Sequence, residues 1–437
     1  RSVAGRRSGS DYRVDHAPWN DADELLMVTN DQAPEFQVLA APVDTLGPWR
    51  QVVAHDPAVR VVDADAFAGH VVLTLRQDGL PLLRVMQRDG SASYDIAPAD
   101  EASTVCLVHV DDFASRTITI RAESRTAPAS WWDVDLGSGE RVEVARTEAP
   151  GLDPGRYATS RVWVTARDGA RVPVTLWRRH DVALDGSAPC LLYGYGAYEY
   201  VFEPEFDPAL PSLLDRGVVF AHAHVRGGGE MGRAWWEHGR LLHKRATFDD
   251  FVDVADALAH DGALALVDGR RIASRGLSAG GLLQGAVYSQ RPDRWRAVVA
   301  EVPFVDVVTA MSDPSIPLTV NEWDEWGDPR DPQFMTYMAG YSPYDNPPPA
   351  HVRPPLLVTG AVHDPRVLVR EPAKWVSVLR ATDPALGAGD DPEDPSAPGT
   401  VLFRVETGEG SHGGPAGRFG HLDYEADVAA WILAALT

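Results

Sequence analysis

The sequence predicts two parts: an antiparallel, β-rich part over residues 1–155, and an α/β part over 156–437 in which strand-like and helix-like segments alternate. Three observations carry this. First, apolar β-like runs recur at Leu25-Leu26-Met27-Val28, Val71-Val72-Leu73-Thr74 and Thr117-Ile118-Thr119-Ile120, 46 residues apart each time. A second run follows each at a similar offset, in Phe36-Gln37-Val38-Leu39, Leu82-Leu83-Arg84-Val85 and Ser130-Trp131-Trp132-Asp133, with turn residues such as Asp78-Gly79 and Gly137-Ser138-Gly139 nearby. Such a period predicts β-propeller blades, with room for about three, the alternative being another antiparallel β domain. Second, from about residue 156 the pattern becomes a hairpin, 161–177, followed by strand-like stretches at 189–192, 217–225 and 296–302. Third, Gly276-Leu277-Ser278-Ala279-Gly280-Gly281 lies between a strand-like and a helix-like run.

That third stretch reads as a nucleophile elbow, in which a serine sits on a strained strand-to-helix turn with its hydroxyl outward and glycines on both sides. Leu282, Leu283, Ala286 and Val287 have helical spacing, so Ser278 precedes a helix N-terminus whose N–H groups stabilise a developing anion. The partners follow in the order Ser, Asp, His, the order of the α/β-hydrolase fold. Asp364 comes just past the apolar run 355–359, at the C-terminal end of a strand, where ligand and catalytic groups gather. A loop cap or surface acid is its bland reading. His412 lies in Gly408-Glu409-Gly410-Ser411-His412-Gly413-Gly414, a loop long enough to reach back to the serine. In these roles His412 takes the Ser278 proton and hands it to the leaving amine, while Asp364 fixes the imidazole tautomer. His363 and His421 are rival bases; the first has a neighbour better suited to orienting, and the second follows the loop. For an oxyanion hole, the backbone N–H of Ala279 supplies one donor, and a phenol from Tyr193-Gly194-Tyr195-Gly196-Ala197-Tyr198 is a candidate second, unless that repeat is only an aromatic turn.

Taken together, Leu192-Tyr193-Gly194-Tyr195-Gly196, His224-Val225-Arg226-Gly227-Gly228-Gly229-Glu230, the elbow, His363-Asp364-Pro365-Arg366-Val367 and Ser411-His412-Gly413-Gly414 resemble the prolyl oligopeptidase family of serine peptidases. The segments Val302-Pro303-Phe304-Val305-Asp306-Val307-Val308, Ser315-Ile316-Pro317-Leu318-Thr319, Glu325-Trp326-Gly327 and Glu371-Pro372-Ala373-Lys374-Trp375 resemble its oligopeptidase B branch. The resemblance runs from about residue 10 and is densest from Pro189 onward. It implies Ser278, Asp364 and His412 as the triad, Tyr195 as the side-chain oxyanion donor, and Arg366 on a substrate carbonyl. It further implies cleavage after Lys or Arg in short peptides, with Glu322 in the pocket for the residue before the cut and Asp324 nearby. Glu203 and Glu205, in Glu203-Pro204-Glu205-Phe206, match an Asp-x-Asp-Phe stretch that lines the neighbouring pocket, a departure in side-chain length. Family members carry an N-terminal extension and seven blades, so the chain is expected to be the C-terminal portion of such a protein, its remaining blades supplied by the missing N-terminal part or another chain.

The residues themselves leave the acids open: Glu322, Asp324 and Glu325 read equally as a solvated acidic loop, although Trp323 and Trp326 between them favour a partly dry pocket. The net charge of −23 disfavours nucleic acid and suits either cationic peptides or plain solubility. With 44% hydrophobic residues and no apolar run near membrane length, the expectation is no membrane partner. Two cysteines, Cys106 and Cys190, make no disulfide framework and point to a reducing, cytoplasmic compartment. No cofactor motif or zinc-type spacing is found; Gly227-Gly228-Gly229 lacks the Lys-Ser/Thr of a phosphate loop and reads as a tight turn. Residues 383–400, rich in Pro, Gly, Asp and Ala, read as an exposed loop. Besides an Arg/Lys-directed serine oligopeptidase, two readings stand: another α/β-hydrolase activity, such as an esterase or a prolyl or acyl-aminoacyl peptidase, and an inactive fragment that acts as a binding scaffold.

Overall fold

A computed structural model of the chain describes every residue except 1, 2, 4, 6, 20, 21, 109–111, 261–263 and 383–398. The stretch read as an exposed loop therefore lies outside the described residues, apart from Gly399 and Thr400. The chain divides into two compact units, one of Arg1–Pro154 with Val201–Pro208 and Gly229–Trp235, the other of the remaining residues from Gly155.

The first unit is built from three four-stranded antiparallel sheets. Their strands are β1 (Tyr12–Trp19), β2 (Ala22–Thr29), β3 (Gln37–Pro42) and β4 (Arg50–Val53); β5 (Val59–Ala66), β6 (His70–Gln77), β7 (Leu80–Gln87) and β8 (Ser93–Ile96); and β9 (Ser103–Val108), β10 (Thr117–Ser124), β11 (Ala127–Asp135) and β12 (Arg141–Arg146). The 46-residue recurrence falls on β2, β6 and β10, the second strand of each sheet. Period-two alternation explains how the sheets stack. In β6, Val71, Leu73 and Leu75 enter a core shared with Leu26, Val28 and Val38, while Val72 enters a second core with Val105, Ile118 and Val134. The middle sheet is thus apolar on both faces. The turn between β6 and β7 places Asp78 at φ 50° and Gly79 at φ 76°, the two positive values that a two-residue hairpin of the right twist requires.

The second unit is a doubly covered, eight-stranded sheet. It adds β13 (Tyr157–Thr165), β14 (Arg171–Arg179), β15 (Cys190–Tyr193), β16 (Val219–Ala223), β17 (Ile272–Leu277), β18 (Ala297–Glu301), β19 (Leu356–Ala361) and β20 (Val401–Glu406), in the spatial order β13-β14-β16-β15-β17-β18-β19-β20. The first three are antiparallel, and from β16 onward every pairing is parallel. Its helices, in order with those of the connecting segments, are α1 (Leu210–Leu214), α2 (Arg233–Glu237), α3 (Arg245–His260), α4 (Ala279–Gln290), α5 (Val307–Ser312), α6 (Thr319–Trp326), α7 (Pro332–Ala339), α8 (Arg370–Ala381) and α9 (Arg418–Leu436). β16, β18 and β19 are buried along their whole length, as expected for parallel strands covered on both faces. α4 packs on β17 and β18, α8 on β19 and β20, and α9 on β17 and β18. Phe248, Phe251, Tyr288 and Trp375 are fully enclosed, and burying each phenylalanine contributes about 1.5–3 kcal/mol. This is the α/β-hydrolase fold.

Parallel strands line up their C-terminal ends, so β15, β17, β19 and β20 deliver Tyr195, Ser278, Asp364 and the His412 loop to one edge. A buried ion network fixes that edge. Arg275, on β17, donates to Glu301 at 2.8 Å through both Nε and Nη2, and to Glu425 of α9 at 2.7–2.8 Å. Tyr424 Oη donates to Glu301 at 2.7 Å. Burial disfavours the Arg275 charge, but the two carboxylates outweigh it and hold the guanidinium pKa well above normal. Arg275→Leu would strand the buried Glu301 carboxylate and take the Arg275 ion pair from the partly buried Glu425, and breaking a buried pair costs about 3–5 kcal/mol. Denaturant unfolding followed by tryptophan fluorescence should show a loss of that size; a loss below about 1 kcal/mol would refute the role of the network.

Candidate active site

Ser278 sits at φ 59°, ψ −114° between β17 and α4, a conformation that β-carbon-bearing residues rarely adopt. Its N–H donates to Glu301 O at 2.8 Å, and its carbonyl accepts from Leu282 N at 3.0 Å and Phe304 N at 3.3 Å, so the strained residue is held from both neighbours. The glycines are steric necessities. A Cβ on Gly276 would lie 2.4 Å from Gly280 O, and one on Gly280 would lie 2.7 Å from Gly194 O.

Asp364 follows β19 and is buried, with 3% of its surface exposed. One carboxylate oxygen accepts from the backbone N–H of Arg366 at 2.8 Å and of Val367 at 3.0 Å; the other meets His412 Nδ1 at 2.7 Å. Burial alone would raise this carboxyl, but the bonds from His412, Arg366 and Val367 outweigh it and hold it below the usual range. Asp364 therefore stays ionised and fixes the ring by Nδ1, leaving Nε2 for proton transfer. No hydrogen bond joins Ser278 to His412 among the described residues; unliganded sites commonly complete that bond only with substrate in place. Of the rival bases, His363 is exposed, and His421 lies in α9 with its ring stacked on Tyr424.

Ser278, Ala279, Tyr195, Arg366 and Glu322 line one cavity of about 320 Å³, walled further by Phe304, Trp326 and Met311. Burial, reinforced by nearby Tyr193, Glu325 and Glu322, raises the Tyr195 phenol far above its ordinary value and keeps it a proton donor. Glu322 stands on α6, its Oε2 accepting from Tyr198 Oη at 2.5 Å and from Trp326 Nε1 at 3.3 Å.

Three other expected acids are not among the residues lining this cavity. The acidic run, for which a solvated loop and a pocket were both open, is the helix α6, so Asp324, two residues after Glu322, is turned by about 200° around its axis. Asp324 is exposed and is not on the cavity; its carbonyl accepts from Arg240 at 2.9 Å. Glu203 belongs to the first unit, where Arg76 donates to it at 2.6 and 2.7 Å and Thr104 at 3.2 Å. Glu205, 65% exposed, is 3.9 Å from Arg121. Neither is among the residues lining the cavity.

Sequence reading missed the supports. Lys244, fully buried at the start of α3, donates from Nζ to Gly196 O at 2.5 Å and lies 3.9 Å from Glu325. Glu325 in turn accepts from Tyr198 N at 3.1 Å and Trp236 Nε1 at 2.7 Å, which ties α6 to the loop carrying Tyr195. As one of two lysines in the chain, Lys244 was the available signal. The other omission is Glu371, which lines the cavity from α8.

Comparison with known proteins gives two family matches: the prolyl oligopeptidase family over residues 204–437 and the prolyl oligopeptidase N-terminal β-propeller domain over 1–147. The dipeptidyl aminopeptidase BI of Pseudoxanthomonas mexicana is 41% identical over 99% of this chain and 57% of its own length; protease 2 of Moraxella lacunata is 37% identical over 99% and 59%. Oligopeptidase B from Trypanosoma brucei with covalently bound antipain, in a closed form, matches with a TM-score of 0.89 and 36% identity over 99% of this chain and 60% of that one. The chain thus spans somewhat under two thirds of the length of these relatives.

The Lys244 support has a pH signature. Burial lowers its pKa to about 8, partly opposed by Glu325, whereas an unfolded lysine titrates near about 10.4. Between those values the unfolded chain binds more protons, so this group makes stability rise with pH from about 8 to about 10.4. Lys244→Met should flatten that rise in denaturation curves taken across the interval; an unchanged slope would contradict the assignment.

Proposed function

Because this chain belongs to the prolyl oligopeptidase family, we propose that it hydrolyses short peptides on the carboxyl side of arginine or lysine through a serine acyl-enzyme. The observation that supports this most is the single cavity bearing Ser278, Ala279, Tyr195, Arg366 and the carboxylate of Glu322. Ser278 attacks the scissile carbonyl as His412 accepts its proton, and the same imidazolium then protonates the leaving amine. The tetrahedral oxyanion is met by the Ala279 N–H and the Tyr195 O–H, donors fixed before the charge develops. Arg366 holds a substrate carbonyl, and Glu322 receives the basic side chain. Asp324, Glu203 and Glu205 have no part in this reading. Antipain bound covalently to the Trypanosoma relative supports the same kind of adduct here. The free cysteines Cys106 and Cys190 fit a reducing, cytoplasmic compartment.

A second reading, release of dipeptides from a free amino terminus, is favoured by the 41% identity to a dipeptidyl aminopeptidase. An Arg-Arg fluorogenic amide with and without an N-acyl block separates the two: cleavage of both forms indicates an endopeptidase, and cleavage of the free form alone an aminopeptidase. A Gly-Pro amide tests the prolyl alternative, with Ser278→Ala as the inactive control. A charge-assisted hydrogen bond is worth about 1.5–3 kcal/mol, so Glu322→Gln should lower kcat/KM for arginine substrates by about 10-fold to 150-fold and hardly change that for neutral ones. An equal loss on both classes would defeat the pocket assignment.

A further inference from the structure

A carboxyl outside the acidic run is placed to meet the substrate. Glu371, in the first turn of α8, is 4% exposed and lines the same cavity as Ser278 and Glu322. Among the described residues its carboxyl receives one hydrogen bond, a long one of 3.4 Å from the Asp306 N–H. The cations beside it are committed to other acids: Lys374 pairs with Asp306, and Arg370 lies 3.4 Å from Asp313. Arg366, the cation on the cavity itself, makes no ion pair with Glu371 among the described residues. A buried carboxyl without a cation is unstable in its charged form, and the side on which a positive group can reach it is the cavity.

We propose that Glu371 is a second cation-receiving carboxyl of the substrate cavity, engaging a guanidinium or ammonium side chain of the substrate alongside Glu322. The proposal rests on the basic-peptide reading of this site and adds a receptor to it. Its protonation gives it a distinctive signature. Burial raises the Glu371 pKa to about 8 and the nearby Asp306 charge adds to the rise, while the Asp306 N–H bond, Arg370 and Lys374 only partly oppose it. Glu322 and Arg366 are the other charged groups on the cavity. In the free protein Glu371 is therefore largely neutral below about pH 8, and a bound cation pulls it into the carboxylate form. Cation binding should strengthen as pH rises through that value.

Benzamidinium is a suitable probe, because it presents a planar cation and requires no turnover. Calorimetric titration of the chain should show its affinity rising by about 10-fold or more between about pH 6.5 and about pH 9. Glu371→Gln, which preserves the side-chain shape and an acceptor for the Asp306 N–H, should abolish that rise and weaken binding at the upper pH by about 10-fold. Glu371→Asp should restore part of the slope, and thermal melting of both variants verifies folding. The slope of the unsubstituted chain is itself a test that needs no variant. A flat profile, no benzamidinium binding, or a Glu371→Gln profile matching the parent overturns the proposal. If binding depends on Glu371 while arginine amides remain uncut, the proposed peptidase function fails and the cation site stands.

Discussion

The sheet edge that carries Ser278, Asp364 and the His412 loop depends on one backbone conformation, Ser278 at φ 59°, ψ −114°. Such strain costs about 1–3 kcal/mol and persists only where its surroundings determine it completely. Here they do. The serine N–H is bound to the end of β18, its carbonyl accepts from the first turn of α4 and from Phe304, and the flanking glycines admit backbone at distances no side chain tolerates. Three residues earlier, Arg275 fastens the strand to Glu301 and Glu425. The strain sets the serine at the mouth of a cavity, with its hydroxyl ahead of a helix N-terminus.

Around that point the interior charges fall into two kinds. Arg275 and Asp364 are buried with their full complement of partners, and both stay ionised. Lys244 and Glu371 are buried with too few, and their pKa values move toward neutrality, to about 8 in each case. The first kind is scaffold: saturated networks fix strands and imidazole in one geometry. Of the second kind, Lys244 still has a structural task, since its bond to Gly196 O holds the loop after β15 that carries Tyr195. Glu371 makes only a long bond to the Asp306 N–H among the described residues, and it lines the cavity where Ser278 lies.

Much of this was legible in the residues. The 46-residue recurrence became the second strand of three successive sheets, because the inner strands of stacked sheets carry short apolar runs that stand out between polar turns. The strand-turn-helix at Ser278 was legible because the glycine requirement is local and steric. The acids were not. Glu322 and Asp324 look equivalent in a row of letters, yet the helix α6 sends one to the cavity and the other to solvent. Helical phase is the signal that separates them, since positions two apart on a helix face in different directions. Glu203 is paired with Arg76, 127 residues away in sequence, an interaction no local pattern announces.

The sequence by itself thus determined the order of the elements, the strained serine turn, and the strand ends that carry Asp364 and His412, since these follow from backbone sterics and short-range periodicity. Tertiary structure alone decided which carboxyls face the cavity, which are neutralised by arginine, and which, like Glu371, are buried with no ion pair among the described residues. Those outcomes depend on the dielectric and the partners that packing brings together from distant parts of the chain, and neither is encoded in a residue's immediate neighbours.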